Sequence, residues 1–116
     1  MLKYQYRLRK NKEFQAVYGE KNSVAAGAVV LYSKDTGNGV PRVGFSMSKK
    51  TGNAVVRNRC RRLMREVVRL HLGEMDPGKD YVFIGRRSLA DADFIQVERD
   101  VLRALKRNNC LRGPDD

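Results

Sequence analysis

Apolar positions along the chain switch between helical and strand spacing, and each switch marks an element. Phe14, Val17 and Tyr18 fall at i, i+3 and i+4, which predicts a short helix capped by Asn11, ended by Gly19 and aromatic on one face. Ser23–Ser33 (SVAAGAVVLYS) is apolar and β-branched, with Gly27 as a kink between a short strand and a longer one. Asp35–Pro41 (DTGNGVP) reads as a turn. Arg42–Ser48 then alternates as a half-buried strand does, with Val43, Phe45 and Met47 on one face and Arg42, Gly44 and Ser46 on the other.

From Asn53 to Leu72 no Gly or Pro interrupts, and Val56, Cys60, Leu63, Val67 and Leu70 recur at spacings of four and three. That stripe predicts a helix of about five turns, with Gly73 as its C′ stop. Asp76–Lys79 (DPGK) is a turn and Tyr81–Gly85 (YVFIG) a short strand, while Ala92–Arg107 forms a last helix with Phe94, Val97, Val101 and Leu105 inward. The order helix, strands, helix, strand, helix is α+β, with a mostly antiparallel sheet and one strand-helix-strand crossover. One domain accounts for all 116 residues, with an ordered core expected over about 4–108 and a disordered acidic tail at 113–116.

Charge changes the picture from fold to partner. Residues 1–72 hold 16 basic and 4 acidic side chains, against 8 and 9 in residues 73–116, so a polyanion is expected to meet the first half. Between Lys49 and Arg69 eight basic residues face one acid, Glu66. Arg57, Arg61 and Arg65 stack at i, i+4 and i+8, where like charges repel by about a few tenths of a kcal/mol per pair unless a partner supplies anions. Phosphates would supply them, and the planar arginine fork bridges two phosphate oxygens where lysine offers a point charge. Asn53 and Asn58 add donors and acceptors for sugars or bases, and Thr51-Gly52-Asn53 makes a tight turn whose backbone N–H groups suit a phosphate. A merely solvated face is the ordinary reading of a mixed-charge helix, but eight to one in sign disfavours it.

Other chemistry is poorly served. Cys60 and Cys110 lie fifty residues apart with no Cys or His at ligand spacing, so both read as reduced thiols, Cys60 as packing on the apolar stripe. His71, the only histidine, reads as a surface or capping residue, and no acid cluster seats two metals, so no metal or cofactor is expected on the protein's own side chains. Apolar runs fall far short of the roughly 20 residues of a membrane span, and the first ten residues lack an apolar signal core, so a cytoplasmic location without a membrane partner is expected. Two alternatives remain: a DNA- or ribosome-associated binding module, disfavoured by the aromatic first helix, and a small metal-dependent nuclease.

Lys49–Arg65 (KKTGNAVVRNRCRRLMR) resembles the signature of the bacterial ribonuclease P protein component, K-x-G-N-A-V-x-R-N-R-x-x-R. Lys50, Gly52, Asn53, Ala54, Val55, Arg57, Asn58, Arg59 and Arg62 match it. RLRKNKEFQAVY, VVLY, RVGFSMSKK and DYVFIGRR extend the resemblance over about residues 4–107, although Cys60 stands where a larger aliphatic residue is common.

The resemblance implies an α-β-β-β-α-β-α sandwich with a four-stranded sheet and a left-handed crossover through the basic helix, where the usual rule gives a right-handed one. It implies a non-catalytic subunit, without an obligate protein partner, for a catalytic RNA that removes the 5′ leader of precursor tRNA using RNA-bound Mg2+. Lys49, Lys50, Asn53, Arg57, Asn58, Arg59, Arg61, Arg62, Arg65 and Arg69 would then face the catalytic RNA. Phe14, Tyr18 and Tyr32 would line a cleft for the single-stranded leader, where stacking gives about 1–3 kcal/mol per base. Core packing is the competing role, weightiest for Phe14, because tyrosine hydroxyls favour a wet edge.

Overall fold

Each stretch of periodic spacing forms the element it predicts, with shifted ends. The computed structural model describes residues 2–111. Helix α1 spans Asn11–Gly19, strands β1, β2 and β3 span Ser23–Ala26, Val29–Asp35 and Arg42–Met47, α2 spans Ala54–His71, β4 spans Lys79–Gly85 and α3 spans Phe94–Arg107. Short 3-10 turns at Tyr4–Tyr6, Lys49–Thr51, Leu72–Glu74 and Arg87–Asp91 join them. The sheet order is β1-β2-β4-β3, with β4 antiparallel to β2 and parallel to β3, so α2 is the crossover between parallel neighbours. This is the expected α+β order around a four-stranded sheet. The tail expected to be disordered, 113–116, lies outside the described residues.

Strand β4 occupies the middle because its apolar run can be buried from both sides. Tyr81 and Phe83 join the main core, which α2 and α3 close with Met64, Val67, Val101 and Leu105. Val82 points the other way, into a smaller core with Leu8 and Val17 against which Phe14, Tyr18, Tyr32 and Ile84 pack. Helix α1 therefore sits on one face of the sheet, and α2 with α3 on the other.

The second face corrects the half-buried reading of β3. A Cβ at Gly44 would lie 2.4 Å from the Phe14 ring, so glycine lets the aromatic side of α1 press on the strand. Arg42, on the same face, is not a solvated cation. Its guanidinium forks onto Asp80 (Nε to Oδ1 3.0 Å, Nη2 to Oδ2 2.8 Å), and Nη1 donates to Glu13 Oε2 at 2.8 Å. Glu13 also corrects the cap of α1. Asn11 is already helical, and Glu13 Oε1 reaches back to the N–H groups of Lys10 (3.0 Å) and Arg9 (3.2 Å). The Lys10 N–H, then those of Arg9 and Arg42, hold the Glu13 carboxyl below the ordinary carboxylate range against the opposing effect of burial.

Further ends shift for local reasons. Helix α1 does finish at Gly19, but the left-handed residue that turns the chain is Lys21, at φ 57°. Gly27 is the first position of a two-residue hairpin loop rather than a kink, at φ 53°, and Asp100 of α3 accepts the Ala28 N–H at 3.0 Å. Helix α3 starts at Phe94, not Ala92, because Asp93 caps it, accepting the Gln96 N–H at 2.8 Å. Helix α2 passes into the Leu72–Glu74 turn, so Gly73 is not its stop.

The stripe of α2 also rotates. A strict four-three spacing averages 3.5 residues and drifts on a straight helix, so burial passes to Met64, Val67 and Val68 while Leu70 stays 51% exposed. His71 consequently turns inward. Its side chain is only 18% exposed, with Nδ1 bonded to Glu74 and Nε2 2.7 Å from Glu98 Oε2, tying α2 to α3. Burial opposes its protonation, but bonds to Glu98 and Glu74 outweigh burial and raise the pKa. Cys60 and Cys110 are free, buried thiols whose pKa values burial raises. Among the described residues no helix is long and apolar enough to cross a membrane.

Two outcomes follow for stability. Gly27→Ala places a Cβ 2.4 Å from Asp100 Oδ2 at a positive φ, and urea unfolding is expected to show a loss of at least about 1–2 kcal/mol. For His71 the raised folded pKa means its contribution is complete below the ordinary imidazole value of 6.5 and fades as pH rises through the folded value. His71→Gln should therefore lower the thermal midpoint clearly at pH 5.5 and much less at pH 8.5; equal losses at both would remove the ionic role.

Candidate nucleic-acid interface

The turn into α2 is fixed by its own side chains. Ser48 Oγ accepts the Lys50 N–H at 3.2 Å, and the Thr51 hydroxyl, buried, lies 3.4 Å from the carbonyls of Gly85 and Arg86 at the end of β4. Asn53 caps the helix, its Oδ1 accepting the Val56 N–H at 3.0 Å. One lone pair of that carbonyl is thereby occupied, so the Asn53 amide NH2 and the second lone pair remain for a ligand, fewer contacts than its sequence position suggests. Lys49 and Lys50 are exposed beside it.

The ten predicted RNA-facing residues share the Ser48–Arg69 segment but not one surface. Arg57, Arg61 and Arg65 form a half-buried flank, whereas Asn58, Arg62 and Arg69 are exposed. Arg59 leaves this set and donates to the Ala90 carbonyl beyond β4. Arg69 is paired with Glu66, Nη2 to Oε1 at 2.6 Å. Asn58, the polar exception on the helix, accepts from Arg61 Nη1 at 2.7 Å and so orients that guanidinium. Burial, then the charges of Arg7 and Arg61, depress the Arg65 pKa. Such crowding of like charge is relieved when an anion binds.

On the other face of the sheet the three predicted aromatics are brought together. The Tyr18 and Tyr32 rings meet edge to face with centroids 5.1 Å apart, and burial raises the Tyr18 hydroxyl pKa. Phe14 does pack, on Gly44 and Leu8, yet one edge also lines a cleft of about 130 Å³ with Arg7, Arg9, Phe45, Arg61 and Arg65. Arg7, Arg9 and Phe45 were not among the predicted site residues: the strand spacing gave Phe45 only an inward face, and Arg7 and Arg9 stood in a matching stretch without a role. The basic composition of the first ten residues was the only signal, because the pairing that docks this arm, Leu8 N–H to the Val43 carbonyl at 3.0 Å, joins segments far apart in sequence. A larger cavity of about 260 Å³, lined by Tyr6, Pro41, Leu72 and Met75 beyond the C-terminal end of α2, carries no charged group and none of these residues.

A basic helix and an aromatic groove on opposite faces of one sheet define a small nucleic-acid-binding α+β protein. Comparison with known proteins narrows this class. The family model described as Ribonuclease P matches residues 2–109. The chain is 37% identical to the ribonuclease P protein component of Alkaliphilus oremlandii over 107 residues (92% of this chain, 94% of that one), and 43% identical to that of Pelotomaculum thermopropionicum over 106 residues (91% and 95%). The solved Staphylococcus aureus RNase P protein is similar throughout, with a TM-score of 0.83 at 33% identity, covering 92% of this chain and 98% of that one. The chain belongs to the ribonuclease P protein family. Membership makes it the protein subunit of the tRNA-processing ribonuclease P, partnered with the ribonuclease P RNA, and sets aside the DNA-binding, ribosomal and nuclease alternatives.

The separation of the arginines is testable. Arg62→Ala removes an exposed cation without a carboxylate partner among the described residues, and is expected to weaken RNA binding and reduce the salt slope by about one without moving the thermal midpoint. Arg59→Ala should also lower the midpoint, because its contact with Ala90 is lost. Titrations over a salt series, paired with thermal unfolding, check both.

Proposed function

We propose that the chain holds two RNAs at once, the catalytic RNA on its basic segment and the 5′ leader of precursor tRNA in its aromatic groove. Lys49, Lys50, Asn53, Arg57, Asn58, Arg59, Arg61, Arg62, Arg65 and Arg69 contact the catalytic RNA; Phe14, Tyr18 and Tyr32 contact the leader. The observation that carries this reading is the cleft shared by Phe14 with Arg61 and Arg65, which joins the groove to the arginine flank of α2.

The chemistry required of the protein is electrostatic. Two polyanions approach each other only where cations offset phosphate repulsion, and arginines lacking carboxylate partners offer that without first breaking a salt bridge. Stacking of unpaired bases then distinguishes precursor from mature tRNA, since only the precursor carries a leader; one base contributes about 1–3 kcal/mol, roughly fivefold to 150-fold in affinity.

Among the described residues no three His, Cys, Asp or Glu side chains gather as a metal site. Mg2+ acts on the RNA subunit, and the protein's own side chains supply charge and stacking. The cytoplasm, where precursor tRNA is made in bacteria, is the proposed location.

The test is precursor-tRNA cleavage by a bacterial ribonuclease P RNA at low millimolar magnesium, with and without the protein. Strong stimulation confined to leader-bearing substrate is expected, and none would overturn the proposal. Phe14→Leu keeps apolar fill against Gly44 but loses the stacking face. It should weaken precursor binding about fivefold or more and leave mature tRNA unchanged; equal losses for both would remove the leader groove.

A further inference from the structure

Residues 73–116 hold 8 basic and 9 acidic side chains, and that near balance conceals a segregation of sign. On α3 both acids turn sideways. Glu98 bonds His71 Nε2 of α2 at 2.7 Å, and Asp100, buried, accepts the Ala28 N–H of the β1–β2 hairpin at 3.0 Å. The charged side chains left exposed on the helix are all cations: Arg99, Arg103, Lys106 and Arg107. The three arginines recur at four-residue spacing, about 6 Å apart along the axis, and so form a row on one side.

The protein itself engages this row lightly. Arg107 Nη1 donates to the Ala25 carbonyl of the edge strand β1 at 2.8 Å, a bond that fixes the guanidinium while using one of its five donors. Arg99 Nε lies 3.7 Å from Asp100 Oδ1, longer than a hydrogen bond. Arg103 and Lys106 have no carboxylate partner among the described residues. Helix electrostatics accounts for Lys106, because cations in a last turn are favoured by the helix dipole. It does not account for Arg99 and Arg103, which precede that turn and repel each other in the free protein. An anion spanning the row offsets that repulsion.

The remaining chemistry of the face restricts the anion. Phe94, the aromatic residue of α3, packs against the main core, and the Gln96 side chain returns to the Asp93 N–H at 3.0 Å. With no ring for stacking and no free amide for base edges, the face reads phosphate alone. A double-helical RNA fits such a surface, since its bases are paired inward and it is recognised by shape and backbone.

We infer that the outward face of α3, with Arg99, Arg103, Lys106 and Arg107, binds the phosphate backbone of a helical segment of the ribonuclease P RNA. This contact is separate from the basic segment of α2 and from the aromatic groove. The inference rests on the function proposed above for the identity of the RNA and adds α3 to the interface. Helix α3 packs on the same side of the sheet as α2 and is tied to it through His71, so one folded RNA reaches both.

The test is a titration of a bacterial ribonuclease P RNA with the full chain over a salt series. Arg99→Gln/Arg103→Gln is expected to weaken binding about tenfold and to reduce the salt slope by roughly 1.4–1.8, at about 0.7–0.9 per phosphate contact. Arg99→Lys/Arg103→Lys keeps both charges and is expected to recover most of the affinity. Lys12→Gln/Lys21→Gln removes two exposed charges on the side of α1 and is expected to stay within about twofold of wild type. Wild-type affinity and slope in Arg99→Gln/Arg103→Gln would overturn the contact, and so would an equal loss in Lys12→Gln/Lys21→Gln, which would reduce the effect to net charge. Labelled pentauridylate, a single strand, is expected to bind Arg99→Gln/Arg103→Gln within about twofold of wild type; a tenfold loss there would overturn the preference for a helical segment. Stimulation of precursor cleavage is scored separately. A chain that fails to stimulate while Arg99→Gln/Arg103→Gln still loses RNA affinity overturns the proposed function alone, and the reverse overturns the α3 contact alone.

Discussion

Tyr81, Val82 and Phe83 of β4 are wholly buried, and because successive side chains of a strand point to opposite faces, this short run belongs to two cores at once. Val82 seats α1 and its aromatic residues; Tyr81 and Phe83 seat α2 and α3. The two proposed RNA surfaces are thus positioned by neighbouring residues of one strand, hydrogen-bonded on both sides to β2 and β3. A shift of register in β4 would exchange the faces and separate the surfaces, so register here is a functional constraint as much as a stability one.

Charge is distributed to match that division. Most acids of the described chain are committed to structure: Asp80 and Glu13 to Arg42, Glu74 and Glu98 to His71, Asp100 to the hairpin backbone, Asp93 to the cap of α3 and Asp35 to Lys79. On α2 only Glu66 remains, and it takes Arg69. The half-buried arginines of the flank, Arg57, Arg61 and Arg65, have no carboxylate partner among the described residues. The resulting repulsion costs stability in the free protein and is relieved on binding, which couples folding strength to the presence of RNA.

The order of elements was legible because each is long enough for its period to show, and the basic segment because its residues are consecutive. What escaped the sequence depends on contacts between distant segments. The pressing of Phe14 on Gly44, the fork of Arg42 onto Asp80 and the docking of the arm on Val43 join residues 30 or more positions apart, and no local spacing encodes them. The α2 stripe failed more simply: its 3.5-residue spacing pointed to Leu70, and the geometry of a straight helix chose Val68 and His71. For the candidate site, the residue types were readable, but the division among an arginine flank, an exposed face and Arg59 on the far side required the folded backbone.

The fork at Arg42 explains how α1 can be both secure and useful. A helix of nine residues is too short to persist alone and must be held by tertiary contacts. Holding it by apolar burial alone would require Phe14, Tyr18 and Tyr32 to sink fully into the sheet, leaving no face for a base to stack on. Here only Val17 of α1 is fully buried; Phe14 and Tyr18 pack half-buried beside it, and Arg42 adds a charge-assisted contact, forked onto Asp80 of β4 and joined by one bond to Glu13 of the helix. Arg42 and Glu13 keep 33% and 22% of their side-chain surface exposed, so removing one partner costs less than the figure of about 3–5 kcal/mol typical of a fully buried pair. A directional polar contact at the start of the helix thus supplies the attachment, and the aromatic side chains along the rest of it remain half-exposed to form a groove.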